Sequence, residues 1–205
     1  GGFKITPEQK ISLSYFDYGM DVETVWQNLW HTSPSSTTGP VIGKLKQQDW
    51  VAKYTFRPAA NPWLDLTATA FHSRGSYDRH FVITPNSYKN EDRRHGFRII
   101  NISHFETGRA GHRLLLGMDY EKRNEDALFL RNGVADDFGS MPNTYTDSGI
   151  YGHLESSFMN GGLVLQVGGR YDRYERKVSK HDYSAQKSHF SPRVGLSVRV
   201  ADGLY

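Results

Sequence analysis

Residues 162–177, GLVLQVGGRYDRYERK, decide how the rest of the chain is read. Leu163, Leu165, Val167, Gly169 and Tyr171 fall on one side of an extended strand, and Val164, Gln166, Gly168, Arg170 and Asp172 on the other, because successive side chains in a strand point to opposite faces. One face is apolar and the other mostly polar. The strand is entered through the tight Asn160-Gly161-Gly162 turn and leaves through Tyr174, Glu175, Arg176 and Lys177 into a charged stretch without alternation. It therefore has a short end and a long end. A half-buried strand of a soluble sandwich reads the same way, so recurrence along the chain has to decide.

The pattern recurs. Ile11, Leu13 and Tyr15 oppose Ser12 and Ser14 in residues 10–22, and Trp50, Ala52, Tyr54 and Phe56 oppose Val51, Lys53, Thr55 and Arg57 in residues 44–57. Leu64, Leu66, Ala68 and Ala70 oppose Asp65, Thr67 and Thr69; Leu114, Leu116, Met118 and Tyr120 oppose Arg113, Leu115, Asp119 and Glu121. Residues 150–158 precede the opening turn, and Phe190, Pro192, Val194, Leu196 and Val198 oppose Ser191, Arg193, Ser197 and Arg199. Only residues 95–105 leave their faces unassigned, since Ile100 and Ile102 share a side with Arg98 and His104 while Phe97, Ile99 and Phe105 lie opposite.

Short connections at 58–62, 106–111 and 160–162 alternate with long polar stretches at 24–42, 72–94, 124–146 and 179–187, which read as loops. That is the layout of an up-and-down transmembrane barrel, plain at one end and elaborated at the other; sandwiches use Greek-key crossings. The expected fold is all-β, an antiparallel up-and-down transmembrane β-barrel segment of about 9–10 strands. Residues 1–6 read as the tail of a strand begun earlier and Leu204-Tyr205 as a strand that continues.

Composition agrees. Aromatics at 13%, 20 glycines and 12 tyrosines suit many strands and turns. The longest apolar run, 114–118, is far short of a membrane helix, and a mean hydropathy of −0.62 fits strands that show lipid only at every second residue. A net charge of +3 with basic residues scattered among 22 acidic ones argues against nucleic acid as a partner. The absence of cysteine removes disulfides and thiolate metal sites. Tyr15, Phe16, Tyr18, Trp63, Phe71, Phe105, Tyr120, Phe158, Tyr171 and Tyr174 lie near strand ends, where interfacial girdles are expected. Lys53, Asp65, Arg113, Asp119, Arg170, Asp172 and Arg193 lie on the opposite faces; a dry core would penalise them, and a wet lumen does not.

Three stretches resemble the barrel of the TonB-dependent outer-membrane receptors. Residues 168–174 look like that family's G-x-R-Y-D-x-Y strand end, Ser191-Pro192-Arg193-Val194-Gly195-Leu196 like its S-P-R-x-G-L, and Leu116-Gly117-Met118-Asp119-Tyr120 like its G-x-D-Y. Asn61-Pro62-Trp63-Leu64-Asp65-Leu66 is similar to the heme and hemoprotein receptors within that family. The resemblance implies a 22-stranded barrel with an N-terminal plug carrying a TonB box, of which residues 1–205 would be part of one β-barrel domain, the plug and remaining strands lying outside them. It implies active import across the bacterial outer membrane of an iron-containing ligand, heme or a heme-carrying protein first and a ferric siderophore second. The implied partners are outer-membrane lipid, the TonB complex acting through the plug, and the heme, hemophore or siderophore ligand, with no covalently bound cofactor.

For ligand capture the candidates are His31, Trp26, Trp30 and His80, in or beside the long loops: the two tryptophans offer an apolar wall for a porphyrin, and imidazole suits iron. His72 and His95 lie in similar stretches, and no H-x-x-x-H spacing of metal-site type occurs. Catalysis has no comparable signal. There is no G-x-S-x-G elbow, and Asp119 with Glu121, or Arg170 with Asp172, are spaced as lumenal ion pairs on one strand face. No enzyme is expected, and no catalytic or metal-binding residue is assigned. A small outer-membrane hydrolase and a soluble carbohydrate- or protein-binding β-sandwich remain as alternatives, and the latter requires two stacked layers that seal the apolar faces together.

Overall fold

The computed structural model describes residues 1–26, 39–82, 85–135, 142–179 and 182–199. The strands are β1 (Gly2–Thr6), β2 (Gln9–Trp26), β3 (Gly39–Phe56), β4 (Asp65–Phe81), β5 (Ser87–Thr107), β6 (Ala110–Arg131), the short β7 (Val134–Ala135), β8 (Asn143–Phe158), β9 (Leu163–Val178) and β10 (Tyr183–Val198). They form one antiparallel sheet in sequential order, with β7 a brief addition folded back on β6. Each long strand pairs with the next, so this is the meander anticipated from the connections.

No second layer covers the sheet among the described residues. The accessible surface is 14407 Å², whereas a compact monomer of this mass would expose about 9,700 Å². The only buried apolar side chains among the described residues are Val41, Ala110 and Val178. Large apolar groups stay open instead: Leu13 is 62% exposed, Ile150 60%, Leu196 69% and Val194 76%. The two-layer sandwich is thereby corrected, because the apolar faces do not meet one another.

The register sorts every side chain. Trp50, Ala52, Tyr54 and Phe56 pair across to Tyr15, Leu13, Ile11 and Gln9 on one side and to His72, Ala70, Ala68 and Leu66 on the other. The same face continues through Phe97 and Ile99, Tyr120 and Met118, Ile150, then Tyr171, Val167 and Leu165, to Phe190, Val194 and Leu196. The apolar window steps along the ladder, from the Tyr15–Trp50 row to the Phe97–Tyr120 row to the Tyr171–Phe190 row. Strands tilted to a common apolar belt require such a drift, as barrel strands tilt about 35–45°. On β9 the window from Leu163 to Tyr171 matches the roughly 9–11 residues a tilted strand needs to cross hydrocarbon.

Beyond that window the strands continue. Residues expected as loops, 72–94 and much of 124–146, are strand to Phe81, from Ser87, to Arg131 and from Asn143; residues 39–42 and 183–187 are likewise strand. Alternation signals a boundary between oil and water. Where both faces of a ladder meet water it vanishes while the backbone hydrogen bonds persist, so polar strand reads as loop.

The aromatic girdle needs a second correction. Phe16, Tyr18, Phe71 and Tyr174 stand on the polar face, paired with Asp49, Gln47, Val51 and Gly96, and Asp147 and Lys187 respectively. Trp50, Phe97 and Phe190 take the apolar boundary, where Trp50 meets Tyr15 at 4.2 Å between ring centroids and Phe97 meets Tyr120 at 5.8 Å. At the short-turn end Trp63 stacks on Phe105 at 4.8 Å and Phe105 on His112 at 4.8 Å, with Phe158 edge-on to His112.

Candidate functional site

The polar face gathers charge in tiers. Arg170 of β9 is the centre of the middle tier: it donates from Nη1 and Nη2 to the two Asp119 oxygens on β6, 2.8 Å each, and from Nε to Asp172 at 2.6 Å. Its guanidinium lies over the Tyr151 ring of β8 at 5.1 Å. Two glycines make this arrangement possible. A Cβ at Gly149 would overlap the Arg170 guanidinium, and one at Gly117 would overlap the Tyr151 ring. A forked, two-oxygen pair fixes orientation as well as charge, so three neighbouring strands are locked from the inside.

Toward the long-loop end, Arg94 donates to Glu121 at 3.1 Å, Arg123 to Asp92 at 2.9 Å, and Gln47 to both Asp49 and Ser73 at 2.7 and 2.8 Å. Higher still, aromatics replace carboxylates. Arg123 and Arg176 approach the Tyr145 ring at 5.9 and 5.3 Å, and Arg79 lies over Tyr77 at 4.1 Å and near Tyr88 at 5.4 Å. Phe81 meets Phe129 edge-on at 6.4 Å. Burial pushes the Tyr88 phenol above its ordinary value, opposed by the Arg79 guanidinium, so it stays a neutral hydrogen-bonding group at physiological pH. Tyrosine and arginine predominate here, with the Glu125 carboxylate close enough to act on Tyr88 and Arg123, and the excess of rings and cations suits an anionic or π-rich ligand.

The sequence family described as "TonB dependent receptor-like, beta-barrel" matches residues 4–205. The chain belongs to the TonB-dependent receptor family. Among solved structures it resembles the alcaligin outer-membrane receptor FauA of Bordetella pertussis (18% identity, TM-score 0.79, 98% of this chain and 32% of that one). It also resembles the hemophore receptor HasR of Serratia marcescens in complex with its hemophore HasA and heme (17%, 0.72, 97% and 32%) and the copper transporter OprC (13%, 0.74, 99% and 33%). The chain thus spans about a third of the length of these structures, and identities this low establish the fold alone. No curated protein sequence matches it. As a segment of a TonB-dependent receptor barrel, the sheet turns its polar face to the lumen and its apolar face outward.

Within this receptor barrel the sequence candidates separate. Trp26 ends β2 at the long-loop side, while Trp30 and His31 lie outside the described residues. His80 is next to last in β4, an exposed residue in the ladder row of Ile42 and Ser87. It shares the parity of Trp50 and His72 and stands on the outward side, not on a loop. His72 and His95 are also strand residues, directly opposite each other on that side. Trp63, from the stretch that resembles heme receptors, sits at the opposite, short-turn end; its carbonyl accepts hydrogen bonds from Asn101 Nδ2 at 2.9 Å and Ser103 Oγ at 2.8 Å. Its role is to anchor a turn.

Tyr77, Arg79, Tyr88, Phe129 and Tyr145 escaped the sequence reading, because they fall in stretches read as loop whose residue order carries no apolar alternation. The nearest approach to hydrolytic chemistry among the described residues is His112, with Nδ1 2.9 Å from Ser156 Oγ and Nε2 2.6 Å from Thr107 Oγ1. Ser156 is 6% exposed and the third partner is a hydroxyl, so nothing there stabilises an imidazolium. Among the described residues no group of three or more His, Asp or Glu is placed to hold a metal.

Proposed function

We propose that this chain is the barrel segment of an outer-membrane active transporter that imports an iron-containing ligand, heme or a heme-carrying protein, with force delivered by the TonB complex to a plug inside the barrel. The observation that carries this reading is the division of one sheet into an apolar outer belt and an ion-paired lumen that becomes tyrosine- and arginine-rich toward the long loops. Tyr77, Tyr88 and Tyr145 offer flat rings and Arg79, Arg123 and Arg176 offer cations, which fits propionate-bearing porphyrin. Capture and passage need no covalent chemistry, and the ion pairs below the mouth keep the wall rigid while the lumen opens.

A ferric siderophore is the second reading, favoured by the stacking of Arg79 on Tyr77, since an anionic chelate rewards cation and ring without needing an axial ligand. Hemin titration of the full-length protein separates the two. A shifted Soret band that weakens at least tenfold in Tyr88→Ala and in His31→Ala supports heme. No Soret shift removes heme, and an unchanged affinity in His31→Ala removes that residue from the site.

A further inference from the structure

On the lumenal face of β1–β5, at the level of the apolar belt, two neighbouring ladder rows hold cations and hydroxyls with no acid among them. Lys4 lies opposite Lys10, then Thr55, then Thr67; in the next row Ser12 lies opposite Lys53, then Thr69, then Arg98. Like charges directly opposed across strands destabilise a sheet, and Lys4 and Lys10 are so placed. Lys4, Lys10 and Lys53 are exposed and make no ion pair among the described residues. The nearest lumenal acids are engaged elsewhere: Glu8 accepts from the Ala59 backbone N–H at 3.1 Å, Asp65 from Arg57 at 2.7 Å, Asp49 from Gln47 at 2.7 Å, and Asp119, beside Arg98, from the Arg170 fork. Toward the long loops the same face carries Phe16, 54% exposed, with Val51 and Phe71 beside it. On β6–β9 the same two rows are the reverse case, since their only charged groups, Asp119, Arg170 and Asp172, satisfy one another.

Breadth and composition fix the occupant. Four interstrand spacings of about 4.8 Å make the strip about 19 Å wide, and it lies open, whereas small ligands are held in concave pockets. An exposed apolar edge beside a charged field marks a protein contact, and the sign of the charge selects an acidic one. We infer that the lumenal strip of β1–β5, centred on Lys10, Lys53 and Thr69, seats an acidic surface of the plug, while the self-paired rows of β6–β9 offer the plug no free charge. This rests on the plug of the proposed function and gives it a side and a chemistry.

The test uses full-length protein at rest, without ligand or energy source. Residues 1–205 contain no cysteine, so Thr69→Cys in the strip and Ser191→Cys, on β10 at the level of Lys10, each report cover as the rate of labelling by an uncharged, water-soluble maleimide, read by mass spectrometry of the peptide concerned. Thr69→Cys should react slowly, and adding Lys10→Glu with Lys53→Glu should speed it about tenfold, equivalent to about 1.4 kcal/mol. Salt at about 1 M, which screens charges beyond about 3 Å, should act in the same direction, and Ser191→Cys should respond to neither. The direct effect of the substitutions on the thiol runs the other way, since loss of neighbouring cations raises its pKa and slows reaction. Slow labelling of Thr69→Cys that ignores charge reversal and salt, or a larger response at Ser191→Cys, would leave a plug in place and overturn this seat. Fast labelling at both positions from the outset would remove the plug itself and the inference with it. Protection of Thr69→Cys that appears only after hemin is added would give the strip to an anionic cargo and overturn the protein contact.

Discussion

Ile99 and Ile100 are the same residue, adjacent on β5, and the register sends them to opposite environments. Ile99 stands between Ala68 and Met118 on the apolar face, and Ile100 between Thr67 and Gly117 on the lumenal one. Lysine at a lipid-facing barrel position costs about 2–4 kcal/mol at mid-membrane and about 0–1 at the interface. Ile99 lies one outward position inside Phe97, roughly 5 Å below the aromatic ring of a belt about 25 Å tall, so Ile99→Lys should cost about 2 kcal/mol. Ile100→Lys keeps its ammonium in water, with only the nearby Arg98 opposing it, and should cost less than about 0.6 kcal/mol. The difference, about 1.4 kcal/mol, is tenfold in the folding equilibrium. Urea unfolding of the full-length protein in phospholipid vesicles, followed by tryptophan fluorescence, measures it. Should Ile100→Lys cost as much as Ile99→Lys or more, the lipid belt has been placed on the wrong face. Val167→Lys, at the centre of the β9 window, supplies the deeper point on the same scale at about 3 kcal/mol.

Arg170→Met should destabilise by about 1–2 kcal/mol, between the value of exposed ion pairs and that of broken buried ones, because Asp119 and Asp172 would face each other unpaired; Arg170→Lys should recover only part of this for want of a fork, as equilibrium unfolding would register. Gly149→Ala should cost about 1–3 kcal/mol through overpacking against the same guanidinium, while the equivalent change at half-buried Gly111, where a Cβ meets nothing, should be nearly silent in the same assay. Hydrogen bonds from Arg93 and Lys89 hold the Glu91 carboxyl below its usual range. Its contribution is therefore fully present above the ordinary glutamate value near 4.5 and is lost as pH falls through the lower folded value. Stability measured from pH 6 down to about 3 should drop less steeply in Glu91→Gln than in the wild type, and identical acid limbs would contradict the Glu91 cluster.

How legible the protein was in its sequence depended on where each segment meets lipid. Inside the belt, Leu163 to Tyr171 and Phe190 to Val198 announced themselves because every second side chain touches hydrocarbon. Outside it, Tyr77, Arg79 and Tyr88 lie on strands with water on both sides, so nothing in their order distinguished ladder from loop, and the tyrosine- and arginine-lined mouth was missed with them. Residues 95–105 were ambiguous for a different reason. The apolar Ile100 and Ile102 occupy lumenal positions, while Asn101 and Ser103 face outward to hold the Trp63 carbonyl, so local hydrogen bonding overrode the pattern. The partnership of Gly117 and Gly149 with Arg170 had no sequence signature, since it is a matter of space across three strands.

The polar continuation of β3 to β6 has a mechanical consequence. From Tyr120 at the belt to Arg131 at the end of β6, the ladder climbs on the order of 25–30 Å at a strand rise of about 3.4 Å and a tilt near 40°. Paired with β5 as far as Leu130 and with β8 as far as Glu125, that extension is a stiff parapet and not a fringe of flexible segments. Under the proposed transport function, a ligand would be met well clear of the bilayer and would descend a polar shaft of that length before reaching the plane of the lipid.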